Sequence, residues 1–283
     1  MRPPIVIDAA NVWAFGASSV NDLSTVVFDL DDTLVVDDRS VTVALFATCS
    51  SVVEACPERL FKAVWHHAHE RWRSIESIGP RANVLGVLPL EALMSETIAH
   101  DIAGTTDYHQ HVWSHAFADV RAKRQASIFE LSKLLRREAM ARYRLYPYVR
   151  ETLDALRKRY TTALLTNGPS CIQREKLCRL QLRDKFEVIV ISTEVGKAKP
   201  DPEVFQVVLN CLSASPAEAV MVGNDQTNDV SGARAVGMGA IHLQHDAEIA
   251  HQAVVGVPAI KSIAELPAVL QTACTDSPST AST

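Results

Sequence analysis

The stretch Val26-Val27-Phe28-Asp29-Leu30-Asp31-Asp32-Thr33-Leu34 limits what this chain can fold into more than any other part of it. An apolar, β-branched run of this kind reads as a buried strand. It ends in three carboxylates within four residues, Asp29, Asp31 and Asp32. Uncompensated charge in a low-dielectric place is costly, so such a cluster needs a cation. In an open α/β sheet, ligands bind at the carboxyl ends of the strands. Side chains alternate along a strand, so Asp29 and Asp31 are expected to face the same way, toward one metal and one substrate. The alternative is an acidic turn after a surface strand. It loses ground because the rest of the chain supplies partners for the acids.

From about Val41 to Arg144 the pattern is helical and lacks convincing strands. Val43, Phe46, Ala47 and Val53 recur at helical intervals. Pro57 and Pro89 each open a helix, at a position where the missing N–H costs nothing. Leu60, Phe61, Val64, Trp65 and Trp72 give the second helix an apolar stripe. Further helices are expected after Asp107 and from Ile128 to Tyr143. After Pro147 helices and strands alternate, with strands at Thr162–Thr166, Val188–Ile191, Ala219–Val222 and Ala240–Leu243. A helix from Asp229 to Val236 is expected to end at Gly237, and Ser262 to Glu265 fit a capping box. Such alternation implies a parallel sheet. The expected organisation is an N-terminal extension (1–24), an α/β core in two pieces (25–38 and 147–273), an inserted α-helical cap (39–146) and a disordered Ser/Thr-rich tail (274–283). The insertion follows the acidic strand, where a lid would close on a substrate. Ile5-Val6-Ile7-Asp8 could form a short strand, although a surface extension is the stronger expectation.

A chain of 283 residues suffices for a sizeable core. Its net charge of −5 gives no electrostatic footprint for nucleic acid. No apolar run is long enough to span a bilayer, and the N-terminus has no secretory pattern. A cytoplasmic protein, monomeric or homodimeric, is expected. The six cysteines have no zinc spacing and are expected to be reduced, with Cys171 and Cys178 small buried side chains on one helix.

Four segments at or near predicted strand ends carry polar chemistry. Asp29 and Asp31 are the first. Thr166-Asn167-Gly168 offers a hydroxyl and backbone N–H groups ahead of a helix, which suits phosphate. Lys197 to Pro202 places Lys199 directly before Pro200 in a stiff, extended segment. Gly223-Asn224-Asp225-Gln226-Thr227-Asn228-Asp229 adds acids that could meet a metal or a lysine. Together these fit phosphoryl transfer to a carboxylate. A divalent cation, a lysine and a helix N-terminus overcome the repulsion between two anions. Oxygen ligands suit Mg²⁺. A second carboxylate two residues on can protonate the leaving alkoxide and then deprotonate water.

At these residues the chain resembles the haloacid dehalogenase superfamily, through FDLDDTL, then TNG, KPDP and GND…NDVSGARAVGM in order. The resemblance implies a Rossmann-like core, Asp29 as nucleophile, Asp31 as general acid/base, Thr166 and Asn167 at the phosphate and Lys199 stabilising charge. Leu165 to Gly168 with Gln173-Arg174-Glu175-Lys176 looks most like the capped branch that contains N-acylneuraminate-9-phosphatase. That branch usually has Asp after Gly223, where this chain has Asn224. The Mg²⁺ ligands implied are Asp29, Asp31 and either Asn224 or Asp225, with Asp229 behind them or on Lys199. A phosphatase acting on a small phosphorylated metabolite follows. Carbon–halogen hydrolysis, a phosphomutase and a non-catalytic binding member stay open, with Asp31 speaking against the first. The cap histidines (His66, His67, His69, His109, His111 and His115) are expected on a polar face, with Arg71 or Arg73 reaching an anionic substrate. Trp65, Trp72 and Trp113 are expected in the cap core.

Overall fold

A computed structural model of the protein describes residues 23–54, 56–76, 85–94, 107–123, 126–245 and 256–275. The possible Ile5–Asp8 strand and the tail beyond residue 275 lie outside them. Six parallel strands form one sheet: β1 (Thr25–Phe28), β2 (Thr161–Thr166), β3 (Val188–Ile191), β4 (Ala219–Gly223), β5 (Gly239–Leu243) and β6 (Ala259–Ile260). Their spatial order is β3-β2-β1-β4-β5-β6, so the order reverses beside β1. A crevice outside the strand ends at that reversal is where open α/β sheets bind ligands. The expected α/β, Rossmann-like fold is thus present.

Alternation along the strands explains the two apolar layers. Val26, Phe28, Leu164, Val220 and Val222 pack on one side. Val27, Ala163, Leu165, Ala219 and Met221 pack on the other. Each buried Val, Leu, Phe or Met among them contributes about 1.5–3 kcal/mol of burial, so the register of β1 is firmly set. Phe28 pairs with Leu164 of β2 and Val222 of β4. Asp29 is therefore the first residue beyond the edge, its N–H bonded to the carbonyl of Val222 at 3.0 Å.

Between β1 and β2 the chain makes helices α1 (Asp38–Val52), α2 (Pro57–Glu76), α3 (Pro89–Ala92), α4 (Tyr108–Asp119), α5 (Ile128–Arg142) and α6 (Val149–Leu156). Ser127 and Glu130 form a reciprocal capping box that starts α5. The chain leaves and re-enters the sheet region side by side: Val36 N–H bonds Arg144 O at 2.9 Å, and Tyr146 N–H bonds Leu34 O at 3.0 Å. No described helix is long and apolar enough to cross a membrane.

After β2 come α7 (Ser170–Arg179), α8 (Ser192–Val195), α9 (Pro202–Leu212), α10 (Gly232–Ala235) and α11 (Leu266–Thr275). The helical interval read over Val43 and Phe46 is present as α1, whose buried face carries Val41, Ala44, Leu45, Thr48 and Cys49 while Val43 and Phe46 are exposed. Two expectations need correction. On α7 the buried face carries Ile172, Gln173, Lys176 and Leu177, which leaves Cys171 and Cys178 exposed. A seven-residue spacing does put both cysteines on one face of α7, but a neighbouring face packs. The helix expected from Asp229 begins earlier, as a π-helical turn at Gln226–Ser231 that continues into α10. Trp72 and Trp113 are buried as expected, and Trp65 is half-buried.

Candidate active site

Three strand ends converge on Lys199. The Lys199 ammonium donates to Asp29 Oδ1 at 2.6 Å and to Asp229 Oδ1 at 2.7 Å. All three side chains are buried. The lysine is set in place by Asn167, whose amide bonds reciprocally to the Lys199 backbone, accepting from its N–H at 2.9 Å and donating to its carbonyl at 3.0 Å. Asn167 therefore fixes the loop that carries the cation. Burial pulls the lysine's pKa down, but attraction to Asp229 and Asp29 outweighs it, and the net direction is up. Burial pushes Asp29 up to about 7, against the pull of Lys199 and with help from Asp229.

Thr33 joins two segments. Its hydroxyl lies 2.7 Å from Asp29 Oδ2 and 3.0 Å from Asn224 Oδ1, and it accepts the Asn224 N–H at 3.1 Å. One hydroxyl proton cannot serve both acceptors. Two oxygens from distant segments thus meet at one point with a single donor between them. Hard oxygen donors so arranged fit a magnesium ion. Asp225, by contrast, caps its own loop: its carboxylate accepts from the N–H groups of Thr227 and Asn228, each at 2.8 Å.

Asp31 lines the same cleft as Asp29 but has its own carboxylate partners. The strand ends at Phe28, so its alternation no longer applies. Asp32 turns the chain through a left-handed conformation (φ 54°), which aspartate tolerates comparatively well, and caps α1 by accepting from the N–H groups of Asp37 and Asp38. Asp31 Oδ1 accepts from Lys176 at 2.8 Å and Oδ2 from Gln173 at 2.6 Å. Gln173 also donates to the hydroxyl of Thr166 at 2.8 Å. The Gly168 N–H, a candidate phosphate donor, is bonded to Ser192 Oγ at 2.9 Å.

Asp29, Asp31, Thr166, Asn167, Lys199, Asn224, Asp225 and Asp229 all line one cleft of about 550 Å³. Its far wall comes from the inserted helices, through His69, Trp72 and Arg73 of α2, and from Gly86 to Pro89 and Glu91. Sequence reasoning missed Lys176, Asp37 and Glu91. Burial holds Asp37 well above the usual carboxylate range, with Asp31 adding to this and Lys176 opposing it. Burial likewise pushes Glu91 up to about 7, against Lys176. Asp31, Asp37 and Glu91 are the one described trio of acids, histidines or cysteines whose donor atoms all fall within 4.8 Å of each other. The histidines of the inserted helices form no such group among the described residues. His67 instead pairs with Asp119 at 2.7 Å, and His111 stacks on His115.

Gly223 is required by space. A Cβ there would overlap the carboxylate of Asp229 and lie 2.6 Å from its Cβ. Gly223→Ala is expected to displace Asp229 from Lys199, destabilise the fold by about 1–3 kcal/mol and lower turnover, which thermal melts and steady-state kinetics would measure.

The family model described as haloacid dehalogenase-like hydrolase matches residues 23–237. The phosphoserine phosphatase of Thermus thermophilus is 33% identical over 224 residues, covering 77% of this chain and 88% of that one. Human N-acylneuraminate-9-phosphatase is 34% identical over 125 residues, 44% of this chain and 50% of that one. Among solved structures, a Bacillus subtilis HAD hydrolase crystallised with magnesium superposes with a TM-score of 0.60 at 18% identity, over 88% of this chain and 99% of that one. The matched span holds every strand end that lines the cleft, and this chain belongs to the haloacid dehalogenase-like hydrolase family.

Proposed function

We propose that the enzyme is a Mg²⁺-dependent phosphatase that hydrolyses a small phosphorylated metabolite through an aspartyl-phosphate. The carrying observation is the buried Lys199 ammonium held between Asp29 and Asp229 at the mouth of a cleft. Asp29 is the nucleophile, since its Oδ2 faces the Thr33 side of the site and its Oδ1 is anchored. Lys199 offsets the charge that gathers on the phosphoryl oxygens, and Thr166 with Asn167 lines the same cleft. Asp31 protonates the leaving oxygen as the bond to phosphorus breaks. It then takes a proton from the water that cleaves the acyl phosphate. Asp29, Asp31 and Asn224 would hold the magnesium ion, which supplies charge neutralisation for one anion attacking another. Asn224 is preferred to Asp225 because the Asp225 carboxylate is spent on capping. The inserted helices act as the cap, and their residues at the cleft select the substrate.

Purified protein is expected to hydrolyse p-nitrophenyl phosphate with Mg²⁺, and EDTA is expected to stop it, with activity restored by added Mg²⁺. Phosphate release from O-phosphoserine, glyceraldehyde 3-phosphate, N-acylneuraminate 9-phosphate and simple sugar phosphates would then identify the substrate class. Full activity in EDTA, or none on any phosphate ester, sinks the reading.

A further inference from the structure

We propose that Lys176 is a positioning residue: its ammonium fixes the carboxylate of Asp31 and ties it to both places where the chain crosses between sheet and cap. The proposal rests on the phosphatase reading above. Lys176 is fully buried on α7. Its Nζ lies 2.8 Å from Asp31 Oδ1, 2.5 Å from Asp37 Oδ1 and 4.0 Å from Glu91 Oε1. It also sits 4.6 Å from the centre of the Tyr143 ring. These four partners come from four segments. Asp31 belongs to the catalytic loop, Asp37 precedes α1 where the chain leaves the sheet, Tyr143 follows α5 where it returns, and Glu91 belongs to α3.

Gln173 completes the grip. It lies three residues earlier on α7, so the two donors share one helical face. Gln173 holds Oδ2 of Asp31 at 2.6 Å while Lys176 holds Oδ1. Both oxygens are thus oriented from one helix, yet the Asp31 side chain remains 22% exposed and lines the cleft. That combination keeps the group accessible to substrate but fixed in direction.

A purely structural role explains the arrangement poorly. Replacing a buried ionic cluster by apolar side chains of similar volume is often neutral or stabilising. Here one ammonium faces three carboxyl groups, an unbalanced set for a core. General acid catalysis, by contrast, depends on holding the proton donor within hydrogen-bond reach of the leaving oxygen. An Asp31 freed from Lys176 would lose that alignment.

The leaving group distinguishes the two roles. A p-nitrophenolate departs without a proton, whereas an alkoxide needs one. kcat/KM reports the step in which the ester bond breaks. For Lys176→Met, kcat/KM is expected to fall about 100-fold on the alkyl phosphate that the wild-type enzyme turns over fastest, and by no more than about 5-fold on p-nitrophenyl phosphate. Lys176→Arg is expected to recover part of the loss on the alkyl ester. Equal losses on the two esters, or no loss on either, overturn the proposal while leaving the phosphatase reading intact. If Lys176→Met does not fold, Lys176→Met/Asp37→Asn/Glu91→Gln removes the charges left behind and is judged by the same ratio. A wild-type enzyme inactive on both esters overturns the phosphatase reading and this proposal together.

Discussion

Asp29→Asn is expected to lower kcat by at least about 10⁴-fold while making the metal-free protein more stable at neutral and alkaline pH. On the proposed aspartyl-phosphate route, the activity loss follows because an amide cannot form the acyl phosphate. The stability gain follows from linkage. Burial, opposed by Lys199 and reinforced by Asp229, raises the folded-state pKa of Asp29 from 3.8 to about 7. The folded protein therefore holds this proton more tightly than the unfolded chain does. The resulting stabilisation is complete below about pH 4 and is lost as pH rises to about 7, where a buried charge must be carried. Asparagine keeps the size and an acceptor for Lys199 without the charge. At pH 8 in EDTA, a gain on the order of 1–3 kcal/mol is expected, well under the full linkage value because the group is coupled to its neighbours. That corresponds to a melting temperature several degrees higher, and the gain should vanish near pH 4. Thermal melts at both pH values, alongside turnover, check it. Equal melting temperatures at pH 8 would show that the Asp29 charge carries no folding cost.

Lys199→Met should have the largest cost to folding. It leaves Asp29 and Asp229 facing each other in a buried place with no ammonium between them. Removing one partner of a buried ionic cluster costs about 3–5 kcal/mol. Turnover should fall by about 10²–10³-fold, the scale of one lost electrostatic contact to the transition state. The double variant Lys199→Met/Asp229→Asn separates the two effects: stability should largely return, because a surplus charge is gone, while activity should not. Urea unfolding midpoints and kcat/KM measure each. Activity recovered in the double variant would mean that Lys199 merely supports the fold.

Much of the sheet was legible because a buried parallel strand announces itself by composition, and its chemistry by what interrupts that composition. Val26 to Phe28 followed by Asp29 is such a break, and Gly223 after Ala219 to Val222 is another. The Lys199 partnership with Asp29 and Asp229 was within reach for the same reason, since all three follow strands. Periodicity along a single helix says that a face exists but not which neighbour claims it. That is why the spacing of Cys171 and Cys178 suggests an inward face that the fold turns to solvent. The Lys176 cluster was illegible for a different reason. Its contacts to Asp37 and Asp31 span 139 and 145 residues, and no local pattern marks such a pairing. A lysine fully buried on a helix whose spacing looks ordinary becomes visible only once the chain has folded.

The adjoining crossings at Val36 and Arg144 have an evolutionary consequence. Two backbone hydrogen bonds, Val36 to Arg144 and Tyr146 to Leu34, join the points of departure and return. The intervening hundred or so residues can therefore lengthen, shrink or be exchanged while every strand keeps its register.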